Sequence, residues 1–446
     1  MSSSADYTAG IAGNDYIEPE LYGKFNVKRG LRNEDGSGVL VGLTRIGQVH
    51  GYIFDEGEKV PVEGKLYYRG VDVEDLAAAA AAEGRFGFEE TVYLLLFGVL
   101  PSGEQLAEFA ALMGRNRELP PNFAEDSIMK APSRDIMNKL ARSVLTLYSY
   151  DDDPENNSPE NVLRQSVSLI ARFPTIAAYA YMAKKHYYDH DSLIIHLPPS
   201  SCQSAETVLS LIRPDQQYTR LEAETLDLAL ILHAEHGGGN NSTFAVHLVS
   251  SADTDTYAAI TAGLNSLKGS KHGGANAKVI GMMEDIKRNV KRWDDEGEAA
   301  SYLERLLKGQ AYDGSGLIYG QGHAVYTKSD PRAGLLREKA GVLADSKGLN
   351  DEFKLYRLIE TLAPGVVKKV KGSDKEICTN VDFYSGFVYR MLGIPEELYT
   401  PIFAVSRVAG WCAHRMEEII SGGRIIRPAY KCVQRRQRYI PLAERR

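Results

Sequence analysis

Apolar residues spaced three and four apart constrain the fold of this chain more than any other feature of its sequence. The clearest runs are Phe88, Val92, Leu95, Leu96 and Val99; Met137, Leu140, Val144 and Leu147; and Leu226, Leu230, Ile231 and Ala234. Residues at this spacing share one face of an α-helix, so each run predicts a helix packed against a core. The chain is therefore predicted to be mainly α-helical.

A small amount of β-structure is predicted near the N-terminus. Residues 39–69 alternate β-branched and aromatic residues with turn signals, which is typical of short hairpins. From Asp72 onward the segment DVEDLAAAAAAEGRF has high helix propensity. The acidic segment SYDDDPENNSPEN, residues 149–161, is a predicted loop between two helices.

Composition excludes several classes of protein. The 446 residues are 43% hydrophobic and 25% charged, which is the balance of a globular chain with a large core rather than of a disordered one. The longest apolar runs, including VYLLLFGVL, are too short to span a bilayer. A net charge of −7 argues against a general nucleic-acid surface.

The cysteines and the N-terminal segment indicate the compartment. Cys202, Cys378, Cys412 and Cys432 lie far apart and form no CxxC pair, which excludes a Cys-rich zinc site and argues against a disulfide framework. The first twenty residues have neither the basic start and apolar stretch of a secretory signal nor the arginines of a transit peptide. We expect a cytoplasmic protein.

Three histidines sit beside glycines: His236 in HAEHGGGNNS, His272 in KGSKHGGANAKV and His323 in YGQGHAVY. A core histidine needs a packed wall around it, which glycine does not provide. Glycine instead allows left-handed backbone and close approach of a ligand. These three positions are therefore candidates for ligand contact.

An acid and three arginines complete the candidate chemistry. Asp382 lies in the apolar segment NVDFYSG, and Arg332, Arg407 and Arg427 lie in SDPRA, AVSRVAG and IIRPAY. A carboxylate can remove a carbon-bound proton when a neutral imidazole donates a hydrogen bond to the developing enolate. Several guanidinium groups suit a substrate with more than one carboxylate. The residues alone predict a carbon-acid enzyme for anionic substrates, with proton abstraction beside a carbonyl followed by attack on an anionic electrophile.

Other interpretations of the same residues stay open at this level. A single histidine is more often structural than functional, and His186, His190, His196 and His414 are assigned that role. Arg407 and Arg427 have surface ion pairing as their alternative. His233 and His236, one helical turn apart, form with Asp382 a candidate metal set, although the HExxH pattern is absent. No P-loop is present, and GSGLIYGQG has the wrong spacing for a dinucleotide fingerprint.

The order of the motifs resembles that of the citrate synthase family, bacterial type. The matching segments are LYYRGVDVEDL, FEETVYLLLFGVLP, LHAEHGGGNNST, SLKGSKHGGANAKV, GQGHAVYTKSDPRA, TNVDFYSG, FAVSRVAG and IIRPAY. They cover about residues 38–430. The resemblance implies a two-domain, all-helical fold with a small β-hairpin region near the N-terminus.

The resemblance also implies a division of the chain. Residues 1–37 would form an N-terminal arm and residues 38–271 a large helical domain. Residues 272–386 would form a small helical domain that closes over substrate, excluding water. Residues 387–446 would return to the large domain and end in a C-terminal arm.

By the same resemblance the chain would condense acetyl-CoA with oxaloacetate to citrate and CoA, the entry step of the tricarboxylic acid cycle. His272 would hydrogen-bond the thioester carbonyl of acetyl-CoA and its enol, and Asp382 would abstract the methyl proton. His323 would polarise the oxaloacetate ketone and protonate the new alkoxide.

Binding roles follow in the same way. His236, Arg332 and Arg407 would hold the oxaloacetate carboxylates. Arg427 would reach the active site of the other subunit, which implies an obligatory homodimer.

For CoA the implied contacts are Gly316, Leu317, Gly320, Gly322 and Lys371. Neither a metal nor a redox cofactor is implied. Two segments depart from the family: KAPSRDIM replaces its His-Pro-Met motif, and VKKVKGSDKEICTNVDF is a longer, lysine-rich approach to Asp382. Lys368, Lys369 and Lys371 in that approach are candidates for CoA phosphates or for a solvated helix face.

Three alternatives to citrate synthase remain on sequence grounds. A 2-methylcitrate synthase would use propionyl-CoA with the same residues, since one methylene in an apolar pocket changes binding by only about 1–3 kcal/mol. A metal-dependent hydrolase would use His233, His236 and Asp382. The third is a CoA-binding protein without activity.

Overall fold

The computed structural model describes residues 15–372 and 376–445, and these are built mainly of α-helices. The helices are α1 Pro19–Lys24, α2 Val73–Ala82, α3 Phe88–Phe97, α4 Gly103–Arg115, α5 Ile136–Leu147, α6 Pro159–Asp189, α7 Ser204–Ile212, α8 Arg220–His233, α9 Asn241–Ser250, α10 Thr256–Leu267, α11 Ala275–Asn289, α12 Glu296–Leu307, α13 Pro331–Lys347, α14 Asn350–Lys371, α15 Val381–Met391 and α16 Tyr399–Ser421. The mainly helical prediction is confirmed. Residues 1–14 of the predicted arm, and residues 373–375 of the lysine-rich approach, lie outside the described residues.

The predicted β-structure is one three-stranded antiparallel sheet. Its strands are β1 Gly47–Asp55, β2 Glu58–Tyr68 and β3 Val71–Asp72, in the order β1-β2-β3. Gly47 pairs with Tyr68 and Asp55 with Glu58, with an irregularity between His50 and Tyr52. The hairpin prediction for residues 39–69 is thus confirmed.

The predicted helical faces agree with α3, α5 and α8, apart from one residue. Val92 and Leu95 are buried on α3, but Val99 is 60% exposed. Helix α3 ends at Phe97 because Gly98 adopts left-handed backbone, with φ of 78°. The apolar spacing thus continues past the point where the helix stops.

Helix α16 is the centre of the large core and carries several side chains of the site. It packs against α3, α5, α6, α8, α9 and α10. Because it is surrounded, even its polar residues Ser406, Arg407, His414 and Arg415 are fully buried. Buried polar groups need partners, and these four link α16 to α8, α9 and α10 and to the segment that follows α8.

Helices α11 to α15 pack mainly on one another, through the pairs α11–α15, α12–α14 and α13–α15. They fall within or next to the segment 272–386 that was predicted as a small domain. The boundaries of that domain stay a prediction. No described helix is both long enough and apolar enough to cross a bilayer.

Candidate active site

Three sequence motifs that are distant along the chain come together around the rings of His236 and His323. The centroids of the two imidazoles are 5.1 Å apart, edge to face. His323 stacks on Tyr326 with a centroid distance of 4.6 Å. The guanidinium of Arg332 lies 5.7 Å from the centre of the Tyr326 ring. The HAEHGGGNNS, YGQGHAVY and SDPRA motifs therefore form one cluster.

The backbone of its own loop determines which ring nitrogen of His323 carries the proton. Its Nδ1 accepts the backbone N–H groups of Val325 and Tyr326, both at 3.0 Å. An atom that accepts two hydrogen bonds carries no proton, so the proton of the neutral ring is on Nε2. Burial, with the charge of Arg332, lowers the pKa of His323 to about 4. At neutral pH this residue is a neutral donor through Nε2.

Asn380 joins the loop of His323 to the helix that carries Asp382. Its Nδ2 donates to the carbonyl of Gly322 at 2.8 Å, and its Oδ1 accepts the N–H of Asp382 at 3.0 Å, which caps α15. Gly320 lies so close to Phe383 that a Cβ would be 2.7 Å from its ring. A side chain at Gly320 would push the loop away from α15. The close packing at this glycine therefore holds His323 and Asp382 near each other.

The carboxylate of Asp382 has an unusually high proton affinity. Burial raises its pKa to about 6, although the charges of Arg332 and Arg407 oppose this rise. Such a group is ionised at neutral pH and still basic enough to take a proton from carbon.

Arg332 is held by a buried acid. Its Nε and Nη2 donate to Asp330 Oδ1 and Oδ2 at 3.0 and 2.7 Å, and both residues are almost fully buried. Asp330 Oδ2 also accepts the N–H of Val381 at 3.3 Å. One carboxylate thus orients the arginine and the first turn of α15.

Arg407 is a buried cation that lacks a full set of partners. Its Nε donates to the carbonyl of His233 at 2.6 Å, and its guanidinium lies 4.6 Å from the ring centre of Phe403. Among the residues that the structure describes, its buried Nη1 has no hydrogen-bond partner, and neither does the buried Nε2 of His236. Burial lowers the pKa of Arg407 to about 10, so the group remains charged. Unpaired buried donors next to a cation fit a carboxylate ligand.

His272 lies in the turn before α11, with its Nε2 3.0 Å from the hydroxyl of Ser242. Burial, reinforced by Arg407, lowers its pKa to about 4, so this ring is also neutral. Ser242 Oγ accepts from the indole N–H of Trp411 at 3.1 Å and donates to Asn240 Oδ1 at 2.8 Å. A hydroxyl has a single proton. Turning that proton from Asn240 to Nε2 would place the ring proton on Nδ1, where it can meet a ligand.

The candidate metal set from the sequence does not assemble. Within residues 15–372 and 376–445, one group of three potential metal ligands comes together, and it contains none of His233, His236 and Asp382. His233 is fully buried against Phe403, with ring centroids 4.5 Å apart. Its backbone supports Arg407 while its ring fills space.

The remaining histidines behave in two ways. His186 and His196 bond to backbone carbonyls, and His190 is exposed at the end of α6, as suits structural positions. His414 is different, because it is fully buried and bonded to two other titratable side chains.

Several other predicted binding residues lie at the surface. Leu317 is 47% exposed, and Lys371, the last residue of α14, and Arg427, in the segment after α16, are also exposed. Gly316 and Gly322 belong to the loop that precedes His323. Lys369 pairs with Glu304, which is the behaviour of a solvated helix face.

A cavity of about 660 Å³ lies next to His323. It is lined by Asp35, Lys59, Val60, Pro61, Ala324, Thr327, Lys328 and Glu376 as well as by that histidine. Lys59 and Lys328 were not predicted, because a single lysine in a hairpin or a loop does not by itself indicate a binding site.

Three further residues that were not predicted, Asp330, Asn380 and Ser242, form hydrogen bonds to residues of the site. Asp330 and Asn380 could have been found, since each is a favoured N-cap residue, and in the structure each caps the helix that follows it. Ser242 gave no such signal, because its partner His272 is 30 residues away.

Comparisons with known proteins agree on one family. A family model described as "Citrate synthase, C-terminal domain" matches residues 35–429. The chain is 34% identical to a citrate synthase of Haloferax volcanii, over 90% of this chain and 94% of that protein. It is 32% identical to a 2-methylcitrate synthase of Shewanella oneidensis, over 85% of this chain and 92% of that protein.

A solved structure of citrate synthase from Thermoplasma acidophilum, a ternary complex with carboxymethyl coenzyme A and oxaloacetate, has a similar fold. Its TM-score is 0.76 and its sequence identity is 27%, over 94% of this chain and 99% of that one.

Proposed function

The chain belongs to the citrate synthase family, and from that premise we infer that it condenses acetyl-CoA with oxaloacetate to give citrate and CoA. It is an acyltransferase that converts the acyl group into an alkyl group on transfer. The observation that carries this proposal is the grouping of Asp382, a carboxylate whose pKa is raised to about 6, with the half-buried neutral imidazoles of His272 and His323 and two buried guanidinium groups.

Enol formation is assigned to Asp382 and His272. Asp382 takes a proton from the methyl group of acetyl-CoA, and the electron pair moves onto the thioester oxygen. His272 donates a hydrogen bond to that oxygen from Nδ1. The negative charge of the carboxylate thereby passes to the thioester oxygen as the proton arrives on Asp382, and the hydrogen bond from the neutral imidazole stabilises this enolate without any further charge being buried.

Carbon–carbon bond formation is assigned to His323. Its Nε2–H donates to the ketone oxygen of oxaloacetate, which makes the ketone carbon more electrophilic. As the enolate attacks, its thioester carbonyl re-forms and the ketone oxygen becomes an alkoxide that takes the Nε2 proton, and a proton from solvent then returns to His323. Water hydrolyses the citryl thioester and releases CoA as the thiol.

Oxaloacetate is held by His236, Arg332 and Arg407, whose polar atoms supply buried donors for its two carboxylates. We assign a further contact to the partner subunit's Arg427, in a homodimer. The exposure of Arg427 in its own chain supports this.

CoA lies along the loop of Gly316, Leu317, Gly320 and Gly322, with Lys371 toward its phosphates. Lys59 and Lys328, which line the cavity beside His323, supply two further cations. The reaction proposed here uses no metal and no redox group.

Closure of residues 272–386 over the bound oxaloacetate would exclude water from the enol. The four cysteines are all unpaired, which supports a cytoplasmic location.

The test of function is release of the CoA thiol in the presence of oxaloacetate, measured with acetyl-CoA and with propionyl-CoA. We expect a higher kcat/KM with acetyl-CoA. The likeness to a 2-methylcitrate synthase makes propionyl-CoA the informative comparison. Equal or faster turnover of propionyl-CoA would favour 2-methylcitrate synthesis, and no thiol release with either donor would refute the proposed chemistry.

Ser242→Ala is expected to lower kcat about 10–100-fold, as the loss of an orienting partner does elsewhere. In the proposed catalytic form Ser242 turns its proton from Asn240 to His272 Nε2, which keeps the ring proton on Nδ1, and alanine has no hydroxyl to do this. The KM for oxaloacetate should change little, because Ser242 touches none of the residues assigned to it. Steady-state kinetics separates the two constants, and a rise in KM with kcat unchanged would contradict this role.

Subunit mixing tests the position of Arg427. Asp382→Asn and Arg427→Ala should each be nearly inactive as pure proteins. In a mixed dimer one site carries both defects and the other carries none if Arg427 acts across the interface. Co-expression with random pairing should then restore about a quarter of the wild-type rate, since half of C2 dimers are mixed. Absence of recovery in purified mixed dimers would place Arg427 in its own subunit's site.

A further inference from the structure

Two histidines outside the proposed reaction face each other between α9 and α16. His247 Nε2 and His414 Nδ1 are 3.0 Å apart, and the planes of the two rings are inclined by 74°. Glu417 Oε2 lies 3.9 Å from the same nitrogen of His414. The three ligand atoms all lie within 4.8 Å of one another.

The outer nitrogen of each ring is bonded to a carboxylate. His247 Nδ1 is 3.0 Å from Glu418 Oε2, and His414 Nε2 is 3.0 Å from Glu235 Oε1. A carboxylate accepts, so each histidine donates its proton outward. The two inner nitrogens then present lone pairs to each other, an arrangement that repels unless a positive charge lies between them.

Glu417 directs a third lone pair at the same place. Its Oε1 accepts the backbone N–H of Arg45 at 2.6 Å, whereas its buried Oε2 has no hydrogen-bond partner within residues 15–372 and 376–445. A buried carboxylate oxygen with no donor is costly, and native proteins rarely leave one.

We propose that His247 Nε2, His414 Nδ1 and Glu417 Oε2 bind a divalent transition-metal ion of the zinc class. Imidazole and carboxylate are zinc ligands, and Zn–N distances of about 2.0–2.1 Å in a tetrahedron separate two nitrogens by about 3.3 Å. The two nitrogens, 3.0 Å apart, need a movement of only a few tenths of an ångström, and Glu417 Oε2, which lies 3.9 Å from His414 Nδ1, must move closer to both. Outer carboxylates on both histidines are the usual support of a metal-binding imidazole.

This ion would be structural, and it is separate from the condensation chemistry. Glu235, which supports His414, immediately precedes His236 and also accepts the N–H of Gly237. The site therefore stiffens the segment that presents His236, without touching substrate.

The test titrates zinc into the full-length protein after removal of metals with a chelator. We expect one tightly bound zinc per chain by calorimetry and elemental analysis, with a rise in Tm. Oxaloacetate should not displace it, which distinguishes this site from binding at His236 and His323. His247→Gln and Glu417→Gln should each lose tight binding, and Glu418→Gln should weaken it about 10–100-fold.

His190→Asn is the matched control. His190 is exposed and has φ of 63°, a conformation that asparagine tolerates, so this variant should bind zinc like the wild type. Circular dichroism checks that each variant is folded, and Glu418→Gln keeps all three ligands if His247→Gln fails to fold. Zinc binding of wild-type affinity in folded Glu417→Gln and Glu418→Gln, or zinc binding that oxaloacetate abolishes, would overturn the proposal. So would the absence of zinc binding, with ¹⁵N NMR showing one proton shared by the two rings.

Discussion

Asp382→Asn is expected to lower kcat for thiol release about 10²–10⁴-fold, the range typical of a general base. The amide has the size of the carboxylate but cannot accept the methyl proton. Oxaloacetate affinity should be nearly unchanged, because the residues assigned to it remain in place. Stopped assays at saturating acetyl-CoA measure the rate, and binding of oxaloacetate is measured separately by calorimetry.

Asp345→Asn is the control, since Asp345 is exposed and its carboxylate accepts a hydrogen bond from Asn350, far from the residues of the site. It should retain full activity. A folded Asp382→Asn protein with more than a tenth of the wild-type rate would exclude Asp382 as the base.

Because the pKa of Asp382 is raised, both activity and stability should depend on pH in a defined direction. Only the ionised form is a base, so kcat/KM should fall about tenfold per pH unit below about 6. The folded-state pKa lies above the usual 3.8, so the folded protein binds the proton more tightly than the unfolded chain. Its contribution to stability is therefore present below pH 4 and is lost as the pH rises through about 6.

Asp382→Asn should for that reason stabilise the fold at pH 7, by roughly 1–2 kcal/mol after allowance for the partial exposure of the side chain. The same substitution thus removes activity and raises Tm. Chemical denaturation at pH 4 and at pH 7 tests this, since the difference from the wild type should shrink at the lower pH.

Helices were predictable from sequence where neighbouring residues decide them. The faces of α5 and α8 and the hairpin at residues 47–68 depend on spacing and turn residues within a short segment. The end of α3 was misplaced at Val99, because the apolar pattern continued past Gly98. Local pattern predicts where a face begins better than where a helix stops.

Candidate side chains were predictable by type, but their surroundings were not. Surface ion pairing was the alternative role for Arg407, but in the structure its side chain, on α16, is completely buried. His414 was assigned a plain structural role, yet it bonds to Glu235 and His247, which lie more than 160 residues away. Tertiary packing sets such environments, and spacing in a single sequence does not encode them.

Arg407→Met should raise the KM for oxaloacetate about 10²–10³-fold, the loss expected for two charge-assisted hydrogen bonds. Its effect on stability should be small. The wild type buries this cation with Nη1 unpaired, and burial has already lowered its pKa to about 10. Removing the charge removes the free-energy cost of burying it, and this gain offsets the loss of the hydrogen bond to the His233 carbonyl. Saturating oxaloacetate should raise the Tm of the wild type and leave that of the variant almost unchanged.

Arg415→Met supplies the matched control on the same helix. Arg415 is equally buried, but its guanidinium donates to Thr256, Ser250, Asn157 and the carbonyl of Thr254. Its removal leaves those acceptors unpaired and should cost about 2–4 kcal/mol of stability with the KM for oxaloacetate unchanged. The two variants should therefore show opposite patterns. If Arg407→Met instead destabilised the protein as much as Arg415→Met and left KM unaltered, the role of Arg407 would be to stabilise the core. The oxaloacetate site would then have to be built from Arg332 and His236 alone.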